Sequence, residues 1–73
     1  MRILFSDHSR DRLLERNINK SDIIEVVNNP DEIVASSRNR KLYKKRFLIK
    51  VLEVVITKED KNIIIITAYY LEK

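Results

Sequence analysis

The pattern of polar and hydrophobic residues divides the chain near residue 31, with helix signals before it and strand signals after it. Ser6 predicts the N-terminus of a first helix, over residues 7–17, because a serine side chain can cap the first backbone N–H groups of a helix. Ser21 predicts the start of a second helix, which the Asn-Asn-Pro at residues 28–30 would end. The β-branched residues of this second segment also suit a strand, but the serine before them and the proline after them favour a helix.

Beyond residue 31 the hydrophobic residues predict strands that are separated by polar turns. The predicted strands cover residues 32–37, 41–46, 48–57 and 62–71, and residues 2–5 predict a further short strand at the start of the chain. The turns lie at residues 38–40, which would close a hairpin, and at residues 58–61. Helices followed by an antiparallel sheet predict the α+β class with two layers, in a single domain over residues 1–73.

The last predicted strand is hydrophobic on both sides. Residues 63, 65, 67, 69 and 71 would point to one face of the sheet, and residues 64, 66, 68 and 70 to the other. Two short helices can cover one face. The sequence therefore predicts that the other face is covered in a homodimer or by a partner protein, or that it binds a ligand. The alternative is an aggregation-prone segment, since it has little charge and high β-propensity.

The composition excludes several kinds of functional site. The 73 residues include no cysteine, no glycine and one histidine. This excludes a disulfide scaffold, a thiolate or histidine-rich metal site and a glycine-rich phosphate loop. No hydrophobic run is long enough to cross a bilayer, so we expect a cytoplasmic protein that does not act at a membrane. We expect no metal and no cofactor.

The positive charge is concentrated in one segment. The net charge is +4, yet residues 38–50 carry seven basic residues and no acidic one, so the rest of the chain is net negative. Such a segment is typical of a polyanion-binding surface, and Tyr43 and Phe47 within it could stack on unpaired bases. The alternative is an edge strand that its charges protect from aggregation. The predicted nucleic-acid-binding residues are Arg38, Arg40, Lys41, Tyr43, Lys44, Lys45 and Arg46.

Three candidate catalytic residues fall on one face of the first predicted helix. His8, Arg12 and Arg16 are spaced four residues apart and would form a stripe along it. A neutral imidazole can accept a proton from a ribose 2′-hydroxyl, and two guanidinium groups can hold the phosphate and its developing charge. The alternative is a surface histidine with arginines that pair with nearby acids. Thr67 and Tyr69 add two hydroxyl groups on the last strand, where they are also ordinary strand residues.

Together these residues resemble the domain-of-unknown-function 4258 family over nearly the whole chain. The motifs are F-S-x-H-x-x-x-R-x-x-x-R-x-I at residues 5–18, N-P at residues 29–30, a basic segment with a tyrosine at residues 39–45, and I-T-A-Y at residues 66–69. That family is similar to the RelE/barnase-like small toxins. The resemblance implies two N-terminal helices packed on a twisted antiparallel sheet of about four strands. The family often has a glycine at the position of Asn17, and asparagine also tolerates the left-handed conformation at a helix end.

The resemblance also implies a function. Relatives of that fold cleave RNA without a metal ion and are usually held inactive by an antitoxin. On that basis His8, Arg12 and Arg16 match a catalytic helix, and Thr67 and Tyr69 match a C-terminal strand motif. We therefore expect a toxin-like, metal-independent endoribonuclease that acts on single-stranded RNA and is paired with an antitoxin protein. The alternatives are a non-catalytic nucleic-acid-binding or regulatory module and a protein-interaction domain.

Overall fold

Five strands and two helices make up residues 2–71, the part of the chain that the computed structural model describes. In chain order they are β1 (Ile3–Phe5), α1 (Asp7–Arg16), α2 (Lys20–Asn28), β2 (Glu32–Ala35), β3 (Arg40–Phe47), β4 (Lys50–Glu59) and β5 (Asn62–Leu71). The predicted α+β class and both predicted helices are confirmed. Neither α1 nor α2 is long and apolar enough to cross a membrane.

Both ends of α1 lie where the sequence predicts them. The Ser6 side chain accepts a hydrogen bond from the Ser9 backbone N–H at 3.1 Å, which caps the helix. At the other end Asn17 takes the left-handed conformation, with φ 57°, and its N–H bonds the carbonyls of Leu13 and Leu14. Asparagine adopts this conformation at lower cost than most residues, so the chain turns here without a glycine.

Helix α2 begins earlier than predicted. Its N-cap residue is Asn19, which has an extended backbone and makes no side-chain cap bond, and the helix starts at Lys20. The prediction that Ser21 is the cap is therefore wrong, since Ser21 already lies in the first turn. The β-branched content of α2 does not prevent the helix because three of these side chains are buried against the sheet: Ile23, Val26 and Val27.

The strands form one mixed sheet in the order β1-β5-β4-β3-β2. Neighbouring strands from β2 to β5 are antiparallel, whereas β1 runs parallel to β5. The predicted sheet of about four antiparallel strands is thus corrected to five strands of mixed direction. The difference arises because the short β1 pairs with the first half of β5, from Ile63 to Ile65, instead of remaining outside the sheet.

The turn between β3 and β4 consists of two large aliphatic residues. Leu48 has φ 55°, in the left-handed region, and the Leu48 and Ile49 side chains are 92% and 83% exposed. Strand β4 therefore starts two residues later than predicted, because the residues assigned to its beginning form the turn.

Strand β5 contains a bulge at Ile66. Its neighbours Ile65 and Thr67 pair with consecutive residues of β4, which leaves Ile66 as the extra residue. Beyond the bulge, Ala68 is buried and Tyr70 packs against the core on the side of the helices. The prediction that residues 63–71 alternate without interruption is therefore wrong, and Thr67 and Tyr69 lie on the other face from Ile63 and Ile65.

The hydrophobic core fills the space between the helices and one face of the sheet. The helices and the loop between them contribute Leu13, Ile18, Ile23, Val26 and Val27, and the strands contribute Tyr43, Leu52, Val54, Ile56, Ile63, Ile65 and Ala68. The other face, which α1 and α2 do not cover, is called the open face below. Read across the strands by register, it carries a row Thr67–Val55–Leu42–Val34 and a polar row Tyr69–Glu53–Lys44–Glu32. The homodimer or partner expected on this face stays a prediction.

Candidate functional site

Helix α1 presents the predicted stripe of His8, Arg12 and Arg16. The Nε of Arg12 donates to Nε2 of His8 at 3.4 Å, so this imidazole nitrogen is the acceptor. The His8 side chain is exposed and Arg12 is partly buried. A guanidinium nitrogen of Arg12 also lies 3.6 Å from Oε2 of Glu15. The first two members of the stripe are thus in contact, and the imidazole is open to solvent.

Arg16, the third member, reaches over the edge of the sheet to β5. Its Nη1 donates to the Ala68 carbonyl at 2.8 Å and to Oγ1 of Thr67 at 3.3 Å, and its Cζ lies 5.9 Å from the centroid of the Tyr69 ring. Strand β1 ends at Phe5, before this part of β5, so Arg16 binds a carbonyl at an edge where no strand follows. The structure therefore brings together three predicted site residues from the two ends of the chain.

Tyr69 connects this edge with the middle of the open face. Its hydroxyl donates a hydrogen bond to Oε2 of Glu53, which is directly opposite on β4. This hydrogen bond, burial and the negative charge of Glu53 raise the pKa of Tyr69 to about 12, and the nearby Arg16 opposes the shift. Tyr69 is therefore a protonated phenol throughout the neutral range.

Glu53 is a member of this cluster that the sequence analysis missed. It is 5% exposed, and its Oε1 lies 3.4 Å from Nζ of Lys44 on β3. The signal that could have found it is its position as the one charged residue in the hydrophobic run at residues 51–56. A carboxylate in such a strand needs hydrogen-bond or ionic partners to be buried.

The basic segment does not form one continuous cationic surface, because strand alternation divides β3 between two faces. Lys41 and Lys45 pair with the buried Ile56 and Leu52 and so lie on the side of the helices. Arg40, Lys44 and Arg46 lie on the open face, and Arg38 is in the exposed hairpin turn.

Two of these cations are already engaged by acids. The ammonium of Lys45 lies 3.8 Å from Glu25 and 3.9 Å from Asp31, and it donates to the Asn29 carbonyl at 2.9 Å. Lys44 pairs with Glu53 as described above. Arg40 and Arg46 therefore remain as the exposed cations that β3 offers on the open face.

The aromatic residues of the basic segment face the core. Tyr43 is 6% exposed and belongs to the hydrophobic core, and Phe47 is partly buried against it. The Tyr43 ring is therefore not available to stack on a base, and we leave it out of the candidate nucleic-acid surface. On the open face the aromatic ring that lies beside an arginine is that of Tyr69, next to Arg16.

The His8 stripe and the basic strand lie on opposite sides of β4. Strand β5, which Arg16 contacts, is separated from β3 by β4, a distance of about 10 Å for two strand spacings. The polar row Tyr69–Glu53–Lys44 joins them across the open face. The candidate site therefore consists of the exposed edge of β5 and the adjoining open face of the sheet, and it is not a single cavity. Within residues 2–71 no three His, Asp or Glu side chains are grouped so that they could hold a metal ion.

Comparison with known proteins places the chain by family alone. The family model described as Domain of unknown function (DUF4258) matches residues 5–70. Neither the curated proteins nor the solved structures include a match. The matched region contains every residue of the α1 stripe and of the Thr67–Tyr69 segment.

Proposed function

This chain belongs to the family described as domain of unknown function DUF4258, and we propose that it is a toxin-like endoribonuclease that cleaves single-stranded RNA without a metal ion. The observation that carries the proposal is the contact of Arg16 with Thr67 and the Tyr69 ring. That contact brings the Arg16 guanidinium to Oγ1 of Thr67 and to the Tyr69 ring at the edge of β5, and the same helix carries the exposed His8 imidazole.

The proposed chemistry needs three groups, and α1 supplies them. The 2′-oxygen attacks the adjacent phosphorus while the P–O5′ bond breaks, which leaves a 2′,3′-cyclic phosphate and a 5′-hydroxyl end. His8 takes the 2′-proton at Nε2, and solvent supplies the proton to the leaving oxygen. The distance of 3.4 Å from Nε of Arg12 to Nε2 of His8 is longer than that of an ordinary hydrogen bond, so a phosphate oxygen can displace the imidazole as the acceptor. Arg16 then stabilises the charge on the phosphate from the edge of the sheet.

RNA would continue from this edge across the open face. Arg40 and Arg46 supply exposed cations there, and Tyr69 supplies a ring. The similarity of this family to the RelE/barnase-like small toxins supports the same assignment, since relatives of that fold cleave RNA without a metal. On this proposal an antitoxin would inhibit the protein by covering the α1 stripe or the open face.

The proposal is tested by cleavage of end-labelled single-stranded RNA in EDTA. We expect wild type to cleave, and His8→Ala to lower the single-turnover rate by about 100-fold or more, with RNA affinity changed by less than about twofold. The matched control is Arg10→Ala, because Arg10 is an exposed arginine of the same helix that lies off the stripe and near Asp7. Arg12→Ala should lower the rate and Arg10→Ala should leave it unchanged.

Three outcomes would count against this assignment. An unchanged rate in His8→Ala, or an equal loss of rate and affinity, removes His8 as the base. Equal losses in Arg10→Ala and Arg12→Ala indicate general electrostatics, not a stripe. Binding without cleavage by wild type indicates the non-catalytic nucleic-acid-binding module.

A further inference from the structure

Glu53 is the one acidic residue that is buried in the part of the chain the structure describes. It lies on the open face of β4, in a strand whose other residues from 51 to 56 are hydrophobic. Burial of a carboxylate costs free energy unless charged or hydrogen-bonding groups compensate it. A valine or threonine at this buried strand position would avoid that cost, so the carboxylate calls for an explanation.

Both carboxylate oxygens are held from the two neighbouring strands. Oε2 accepts the hydrogen bond from the Tyr69 hydroxyl, and Oε1 lies 3.4 Å from the Lys44 ammonium. The strand register places Tyr69 and Lys44 directly opposite Glu53, on β5 and β3 respectively. Partners on both sides restrict the carboxylate to one orientation, and the carboxylate in turn fixes the position of the Tyr69 hydroxyl.

The fixed ring lies beside Arg16. The guanidinium carbon is 5.9 Å from the ring centroid, and Nη1 is occupied by Thr67 and the Ala68 carbonyl. Arginine has five N–H donors, and the donors on Nε and Nη2 of Arg16 have no acceptor among residues 2–71. The contacts of Nη1 with β5 and of the guanidinium with the Tyr69 ring therefore fix the direction in which the donors on Nε and Nη2 point.

We propose that Glu53 is a positioning residue: clamped between Lys44 and Tyr69, its carboxylate fixes the Tyr69 ring and thereby aims the free donors of Arg16 at the phosphate. This inference rests on the proposed function for the role of Arg16. Glu53 does not itself touch the substrate, because it is 5% exposed and both its oxygens are engaged. The proposal extends the site from the helix and β5 to the centre of the sheet.

The link between Glu53 and Tyr69 can be measured without any enzyme assay. Tyrosinate absorbance near 295 nm, recorded against pH, follows the phenols, and Tyr69→Phe identifies the contribution of Tyr69. The Tyr69 pKa is raised to about 12 chiefly by Glu53, so we expect Glu53→Gln to return it toward 10.0. The matched control is Glu25→Gln, which removes an acid that pairs with a β3 lysine, Lys45, on the other side of the sheet. It should leave the Tyr69 titration unchanged.

Whether Glu53 acts on the reaction through Tyr69 is measured by a double-mutant cycle of the two residues on RNA cleavage. We expect Glu53→Gln to lower kcat by about tenfold, as for a lost hydrogen bond to a charged group, with a smaller change in KM. If Glu53 acts through Tyr69, Glu53→Gln has no further effect in a Tyr69→Phe background. If Glu53 acts independently of Tyr69, the fold-losses of kcat in Glu53→Gln and Tyr69→Phe multiply in the double variant. Independent losses in the cycle would overturn the proposal.

The two readouts separate this proposal from the proposed function. If wild type does not cleave RNA, the proposed function fails, and the titration still decides whether Glu53 positions Tyr69. An unchanged Tyr69 titration in folded Glu53→Gln overturns the positioning role even if the enzyme is active. Should circular dichroism show that Glu53→Gln does not fold, Glu53→Asp makes the same test, because it keeps the charge and withdraws the carboxylate from the phenol by one methylene.

Discussion

Tyr69 is the residue at which the helix, the sheet and the buried charge meet, and its ionisation affects stability. Its pKa in the folded protein is about 12, against 10.0 for an ordinary tyrosine. The folded state therefore keeps a proton that the unfolded chain loses between pH 10 and 12, and the free energy of unfolding falls with pH in that window. The contribution of the phenol is complete below pH 10.

We expect Tyr69→Phe to be less stable than wild type by a constant amount up to about pH 10, and by a decreasing amount above it. Urea unfolding at several pH values from 8 to 11.5 measures this difference. Tyr70→Phe is a suitable comparison, because burial and the charge of Asp22 raise the Tyr70 pKa without a carboxylate hydrogen bond. A wild-type advantage that does not change up to the highest pH would show that the phenol is not held by Glu53.

Leu48 has a left-handed backbone conformation, whereas its neighbour Ile49 does not. A leucine in the left-handed region costs about 1–2 kcal/mol, and the side chain is 92% exposed, so it gains no burial in return. We expect Leu48→Asn to raise the free energy of unfolding by about 0.5–1 kcal/mol, since asparagine tolerates this conformation. Ile49→Asn is the control, because Ile49 is also largely exposed but does not have a positive φ. If both substitutions change stability alike, exposure and not backbone conformation is responsible.

At the residue scale the sequence predicts the α1 stripe but not its partners. The spacing of His8, Arg12 and Arg16 is enough to place them on one helix face, because helical geometry is local. That Arg16 ends on Thr67 and Tyr69 depends on where a strand more than 50 positions away is placed. Glu53 was missed for the same reason, since its partners are cross-strand neighbours that only the register defines.

At the element scale the two helix starts differ in how they are capped. The Ser6 side chain caps α1 by a hydrogen bond, whereas Asn19, the N-cap residue of α2, makes no such bond and Ser21 lies inside the first turn. We expect Ser6→Ala to lower the free energy of unfolding by about 1 kcal/mol and Ser21→Ala to change it by less than about 0.5 kcal/mol. Chemical denaturation of the two variants measures this, and a larger loss in Ser21→Ala would restore Ser21 as the cap.

The elements predicted best are those with strong local signals. Ser6 and Asn17 set the ends of α1, and the polar segment before residue 62 sets the start of β5. The bulge at Ile66 has no such signal, because every residue around it is a good strand former. One extra residue was enough to exchange the faces of Thr67 and Tyr69, and these are the residues that the candidate site uses.

At the scale of the whole molecule, the positions of the basic residues on the sheet determine the available cationic surface more than their number does. Seven basic residues in one segment suggest a single polyanion-binding surface. Strand alternation instead divides those on β3 between two faces of the sheet, and the acids Glu25, Asp31 and Glu53 pair with two of the lysines. The Tyr43 ring packs in the hydrophobic core and is not exposed on this surface. On the open face the cations that no acid among residues 2–71 engages are Arg40 and Arg46, and Arg16 lies at the edge of β5. On the proposed function, the sheet topology therefore decides which of the basic residues can reach an RNA.

The central claim is cleavage by a ribose 2′-oxygen, and one substrate tests it directly. A bond that the wild-type protein cleaves in EDTA is first located in a single-stranded RNA oligonucleotide, and the nucleotide on its 5′ side is then replaced by its 2′-deoxy counterpart. We predict a 2′,3′-cyclic phosphate end on the product from the unmodified RNA, and no cleavage at that bond in the modified RNA. Continued cleavage of the modified bond, or products with 5′-phosphate ends, would contradict the assignment of His8, Arg12 and Arg16 to this reaction.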